Sequence, residues 1–175
     1  SKTPSQYIVI IFKLYLFIYI YIYMNKYILI KINQNAGRIL ENPQVWSHRG
    51  VNTNVSNQNT SQAILLAKQN GFKGSEIDIF YDDDKKRFIV SHDYPYNLKN
   101  DKLLYLDEII QLLGDHYLWL DFKNLNNSNV NESIQYLNDH FSEYKNQIII
   151  ESVSQLVSQF TEAGFFTSYW IFGIS

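Results

Sequence analysis

Apolar and polar positions fall into an ordered alternation of two periods from residue 43 to the end of the chain. Gln44-Val45-Trp46-Ser47-His48 reads as a short strand after Pro43. Asn52 to Asn59 is a polar loop, and Thr60 caps a predicted helix through Ala63, Ile64 and Ala67 that Gly71 ends. From Gly74 to Phe80 the period drops to two: Ile77, Ile79 and Tyr81 share one face, Glu76 and Asp78 the other. The run Asp82-Asp83-Asp84-Lys85-Lys86 reads as a solvated turn, and Arg87 to Ser91 returns as a short strand. Leu106, Ile109, Ile110 and Leu113 have helical spacing and stop at Gly114. Tyr117 to Phe122 is a mostly apolar strand, as a buried parallel strand should be. Val130, Ile134, Leu137 and Phe141 mark another helix, and Gln147 to Ile150 another strand. Ser152 is the predicted cap of a helix carrying Val153, Leu156, Val157 and Phe160; Gly164 closes it before a strand from Phe165 to Ile171. This rhythm predicts a parallel α/β fold.

The N-terminal quarter breaks the pattern. Tyr7 to Tyr23 is almost wholly apolar apart from Lys13, and Tyr27 to Ile30 repeats the character after Met24-Asn25-Lys26. The stretch barely reaches the ~20 residues that a membrane helix needs. It also lacks the basic start and small-residue cleavage site of a signal peptide. The strict Ile/Tyr alternation from Phe17 to Tyr23 is more strand-like than helical. Residues 1–42 are therefore expected to be an apolar leader rather than a folded element, and residues 43–175 the domain. The leader is either membrane-associated through residues 7–30 or foreign to the natural protein, with translation starting at Met24. Location follows: membrane or export in the first case, cytoplasm in the second.

Composition narrows the chemistry only slightly. The chain has 175 residues, enough for one domain with a real core. A formal charge of -2 gives no bulk attraction to nucleic acid. The absence of cysteine excludes disulfides and thiolate metal sites.

Two carboxylates on one strand face repel unless a positive charge sits between them. An isolated Glu-x-Asp is most often a polar face in water, but here three other polar groups stand at strand ends. They are His48-Arg49-Gly50, His92-Asp93 and Asp121-Phe122-Lys123. Loops beyond strand C-termini carry the acting residues of parallel barrels. Glu76, Asp78 and Asp121 are the candidate ligands of one oxygen-loving divalent cation, Mg²⁺ or Ca²⁺. Arg49 and Lys123 are candidate phosphate-oxygen binders, and His48 and His92 the candidate acid and base. The set describes a phosphodiester-cleaving site. His116 and His140 have no partner motif and are expected in loops or at the surface, while Trp46, Trp119 and Trp170 are expected in packing.

The ordered motifs His48-Arg49-Gly50, Gln58-Asn59-Thr60, Glu76-Ile77-Asp78, His92-Asp93 and Asp121-Phe122-Lys123 resemble the glycerophosphodiester phosphodiesterase family. The resemblance covers roughly residues 44 to 125 well and the remainder loosely. It implies a TIM (β/α)8 barrel of the phospholipase C-like phosphodiesterase type. It also implies metal-dependent hydrolysis of a glycerol-linked phosphodiester, with proton transfer by His48 and His92. Two positions depart from the family pattern: Gln58 stands where Glu is usual, and Asp121 where Glu is usual. Sphingomyelinase D-like phospholipases are similar in placing Asp at that metal position, so the change does not imply inactivity; the expected substrate is a small-molecule or lipid phosphodiester, with phospholipase D-like action on lysophospholipids or sphingolipids as the alternative. A complete barrel of this type has eight strand–helix units in about 250 residues. Only about five are counted here, so the expectation is an incomplete barrel, with the leader packed against it as one arrangement. An inactive fragment or pseudoenzyme and a membrane-tethered binding module are the competing readings.

Overall fold

The computed structural model describes residues 17–22, 26–31, 46–51 and 57–171, with side chains for 46–51 and 57–168. Its spine is five parallel strands: β3 (Trp46–His48), β4 (Gly74–Asp82), β6 (Tyr117–Phe122), β7 (Ile148–Ser152) and β8 (Phe166–Ile171), adjacent in the order β3-β4-β6-β7-β8. Strand β5 (Arg87–Val90) folds back antiparallel on the C-terminal half of β4. The crossovers run through α1 (Ser61–Gln69), α2 (Leu106–Ile110), α3 (Val130–Phe141) and α4 (Ser158–Glu162). Each parallel connection needs such a crossover, which is why strand and helix periods alternate in the sequence.

One sheet face is the apolar core. Ile77, Ile79 and Tyr81 of β4, Leu118, Leu120 and Phe122 of β6, and Ile148 and Ile150 of β7 are buried there. They cluster with Ile64 of α1, Ile109 of α2, Leu137 of α3 and Phe160 of α4. By strand alternation the opposite face carries Trp46, Glu76, Asp78, Trp119, Asp121, Ile149, Glu151 and Ser168. The Trp46 and Trp119 rings meet edge-on there, 6.0 Å apart, as packing residues. Gly74 makes room for them: a Cβ at this position would lie 2.4 Å from the Trp46 ring.

Several details differ from expectation. Residues 17–22 and 26–31 are β1 (Phe17–Ile22) and β2 (Lys26–Lys31), a hairpin in which β2 pairs antiparallel with β8. This part of the expected leader is joined to the sheet, because an alternating apolar strand is stabilised by pairing with an open edge. The remainder of residues 1–42, Gln44, Val45, most of the loop before Asn59, and the Trp170 side chain lie outside the described residues. Among the described residues no helix is long and apolar enough to cross a membrane.

The other differences are local. Ser152 is the last residue of β7 and donates to the Phe122 carbonyl, so it is not a helix cap. A 3₁₀ turn over Gln155–Val157 begins instead at Ser154, whose side chain accepts from the Leu156 N–H at 3.3 Å. Asp82 is buried within its turn, accepting from the Lys85 N–H, while Asp83 and Asp84 are exposed. His116 is buried rather than superficial: its Nε2 lies 2.8 Å from Ser75 Oγ, itself 2.7 Å from Ser47 Oγ. Burial holds that imidazole below its usual range. His140 is exposed, against the Tyr136 ring.

Candidate active site

Parallel register alone assembles the cluster. His48 pairs with Glu76 across β3 and β4, and Asp78 with Asp121 across β4 and β6. Because all four point to the same side, three carboxylates from two strands converge. Glu76, Asp78 and Asp121 offer oxygens that all lie within 4.8 Å of one another.

Asp78 is the hub. Its Oδ2 lies 2.9 Å from Arg49 Nε and accepts from Asn59 Nδ2 at 2.8 Å, and its Oδ1 lies 2.6 Å from Lys123 Nζ. Its backbone N–H donates to Asn59 Oδ1, so Asn59 grips the residue twice. Arg49 Nε and Asp78 Oδ1 meet their partners at ion-pair distance without hydrogen-bond geometry. The buried carboxylate is thus neutralised by charge while one oxygen retains lone pairs for a further partner. Lys123 also contacts Asp121 Oδ2, completing a bridge between the two aspartates.

The electrostatics follow from this crowding. Burial, then the neighbouring Asp78 and Asp121 carboxylates, push Glu76 well above the usual carboxylate range. Burial also raises Asp121, although Lys123 pulls the other way. For Lys123 burial alone would lower the ammonium, but Asp121 and Asp78 override it and hold the group above its ordinary value. Carboxylates crowded on one buried face are a setting that suits a hard cation. The donor set, all carboxylate oxygen, fits Mg²⁺ or Ca²⁺ rather than a soft metal.

Tight local geometry aims the flanking groups. Arg49 and Gly50 both take left-handed conformations, with φ of 57° and 76°. A Cβ on Gly50 would sit 2.6 Å from the Ala63 Cβ, so the chain turns hard against α1 only with glycine there. This turn directs the Arg49 N–H to Glu76 Oε2 at 3.1 Å and Arg49 Nη1 to Gln58 Oε1 at 3.2 Å. His48 is half-exposed at the mouth, its Nε2 3.7 Å from Glu76 Oε2. Burial, with Arg49 beside it, lowers its pKa; Asp78 opposes that shift.

His92 reaches the mouth from the loop after β5. The Ser91 N–H donates to the Asp78 carbonyl, and Asn97 Oδ1 accepts from the backbone N–H of both His92 and Asp93. Asp93 Oδ1 lies 2.7 Å from His92 Nδ1, which fixes the ring and leaves Nε2 for chemistry. The Ser91–Asp78 backbone bond ties the start of this loop to β4 beside the carboxylates. The structure therefore draws together Glu76, Asp78, Asp121, Arg49, Lys123 and His48, with His92 on the adjoining loop.

Two further residues belong to the constellation. Asn59 was visible as part of a motif, but nothing in the sequence marked its grip on Asp78. Glu151 was hidden at the end of an apolar strand. It pairs with Asp121 across β6 and β7, is buried, and accepts from Trp119 Nε1 at 2.9 Å and Ser168 Oγ at 2.8 Å. Burial, then Asp121, pushes it up to about 8.

A parallel sheet with its polar face at the strand ends, covered by crossover helices, is the architecture of part of a (β/α) barrel. Solved structures similar in fold include glycerophosphodiester phosphodiesterases. The chain is similar to that of Parabacteroides distasonis, with 19% identity, TM-score 0.59, and coverage of 72% of this chain and 64% of that one. A phosphodiesterase from Oleispira antarctica, solved with the product sn-glycerol-3-phosphate, is 20% identical at TM-score 0.53, covering 69% of this chain and 61% of that one. The enzyme from Agrobacterium tumefaciens is 18% identical at TM-score 0.53, covering 72% and 66%. The chain thus spans a little under two thirds of the length of these structures. No family model and no curated protein matches it by sequence. The shared fold is that of the glycerophosphodiester phosphodiesterase barrel.

Proposed function

We propose that this chain is a phosphodiester hydrolase acting on glycerophosphodiesters, converting diester and water into an alcohol and glycerol phosphate. The observation that carries the reading is the convergence of Glu76, Asp78 and Asp121 within 4.8 Å beside His48 and two fixed cations. Glu76, Asp78 and Asp121 would hold one Mg²⁺ or Ca²⁺, which when bound supplies Lewis-acid polarisation of a phosphoryl oxygen.

The remaining work falls to the protein. Arg49 and Lys123 draw the anionic diester to the mouth, the guanidinium offering a planar fork and the ammonium a point charge. His48, whose pKa is lowered, is neutral at pH 7 and takes the proton of the attacking hydroxyl or water. His92, oriented by Asp93, returns a proton to the departing alcohol oxygen. A hydroxyl next to the phosphate can serve as the first nucleophile, giving a cyclic diester that water then opens.

Hydrolysis of glycerophosphocholine in the presence of Mg²⁺ or Ca²⁺ tests this reading. His48→Ala and His92→Ala are each expected to lower kcat by about 10²–10⁴-fold. Unchanged rates in both would reject their roles. A second reading, a binding module without turnover, is favoured by the sheet's two edges, β1 and β3, which have no outer partner strand among the described residues. It predicts cation binding with no product from the unaltered chain.

A further inference from the structure

The large apolar side chains that stand exposed among the described residues are Tyr94, Leu98 and Val153, at 75%, 56% and 60%. All three leave strands on the side of the carboxylate cluster. Tyr94 and Leu98 follow His92 in the loop after β5, and Val153 directly follows β7, two residues from Glu151. The loop is also connected inward by rings. The Tyr94 and Tyr96 rings pack edge-on at 5.2 Å, and Tyr96 packs on Phe80 at 5.7 Å. Phe80 shares its strand face with Glu76 and Asp78. Tyr96 thus links the exposed outer ring to a ring of the strand itself.

An aromatic stair from an ion-binding face to exposed Tyr and Leu suits an acyl-bearing phosphodiester: polar head inward, chain along the rings. The charges on the loop select the kind of surface. Asp93 and Asp101 balance Lys99 and Lys102, and the Lys99 ammonium is occupied by the Gln58 carbonyl at 2.8 Å. There is no surplus of positive charge for an anionic membrane to attract. We propose that Tyr94 and Leu98 dock the mouth of the site onto a zwitterionic lipid surface, from which an acylated phosphodiester enters past Tyr96 and Phe80. The choice of substrate rests on the hydrolase reading above; the docking does not.

Co-sedimentation of the full chain with pure phosphatidylcholine vesicles tests the docking. Tyr94→Ser/Leu98→Ser is expected to weaken partition by about tenfold or more, since each side chain loses its apolar transfer. Both residues are exposed, so an unchanged circular dichroism spectrum is expected alongside. Failure of the unaltered chain to sediment overturns the proposal. So does equal binding by the variant, which would place adhesion elsewhere, such as residues 7–30. Binding confined to vesicles with added phosphatidylglycerol overturns it too, as does a dimer that the substitutions dissolve in the absence of vesicle binding. In parallel, the variant should hydrolyse glycerophosphocholine at the normal rate but vesicle-held lysophosphatidylcholine at least about tenfold more slowly. Equal slowing on both substrates overturns the rim's separate role. Vesicle binding with no turnover of either substrate overturns the hydrolase reading and leaves the docking standing.

Discussion

Asn59 shows how much a single side chain can decide. It occupies a left-handed backbone position, φ 54°, and satisfies both the N–H and the Oδ2 of Asp78. Asn59→Ala removes both bonds and strains the backbone; a buried polar group left unpaired costs about 1–3 kcal/mol. Groups that orient a metal ligand commonly contribute ~10–100-fold in affinity. The expected outcome is weaker Mg²⁺ or Ca²⁺ binding by that factor together with a lower Tm. Asn59→Gly relieves the strain without restoring the bonds, so it should recover Tm in part and leave affinity low. Equal affinity in both variants and the native chain would remove Asn59 from the site.

Glu151 gives a pH signature of opposite sign to the usual carboxylate. Its pKa in the folded chain, about 8, lies above the ordinary 4.5. Its contribution to stability is therefore full below about pH 4.5 and lost as pH rises through about 8, because folding then confines a charge that the unfolded chain hydrates. In EDTA, the Tm of the native chain should fall relative to Glu151→Gln as pH goes from about 5 to 9. Parallel Tm curves would show that Glu151 does not titrate in this way. Neither Glu151 nor His116 was legible in the sequence. Each sits in an ordinary-looking stretch, and its partners Trp119, Ser168 and Ser75 are more than fifteen residues away. His48, Arg49, Glu76, Asp78, His92, Asp121 and Lys123 stood out because each is a charged or titratable group at the end of a strand or on its polar face.

Among the elements, α1 links fold and site. Thr60 Oγ1 accepts from the Ala63 N–H at 3.1 Å and donates to the Asn57 carbonyl at 2.8 Å. The helix start thereby fixes the residue just before it, Asn59. Thr60→Ala should cost about 1 kcal/mol in denaturant unfolding, the usual loss for such a cap. A change below ~0.2 kcal/mol would mean that the bond contributes nothing. Elements with a strong period were readable: Leu106 to Leu113 and Val130 to Phe141 show one apolar face, and Tyr117 to Phe122 is apolar enough to be buried on both sides. The boundary at Ser152 was not. A serine after an apolar strand looks like a cap, but here it is consumed by the Phe122 carbonyl of the neighbouring strand.

At the scale of the molecule, the five parallel strands among the described residues match the five main strands counted in the sequence, with the hairpin of β1 and β2 added antiparallel beyond β8. The alternation in Phe17–Ile22 gave the strand character. Its pairing could not be read, since any strand of that pattern would suit several edges. What makes the sheet more than a scaffold is that register, without any long loop, sets Asp121 beside Asp78 and His48 beside Glu76. The most direct test is a calorimetric titration of the chain with Mg²⁺ and with Ca²⁺, repeated on Glu76→Gln and Asp121→Asn. Glu76→Gln replaces a group already pushed toward its neutral form, so the fold should survive it. One saturable site per chain, weakened by at least about tenfold in each variant, is the predicted result. Unchanged binding in both variants, or no binding by the native chain, would contradict the shared-ion cluster at the centre of this account.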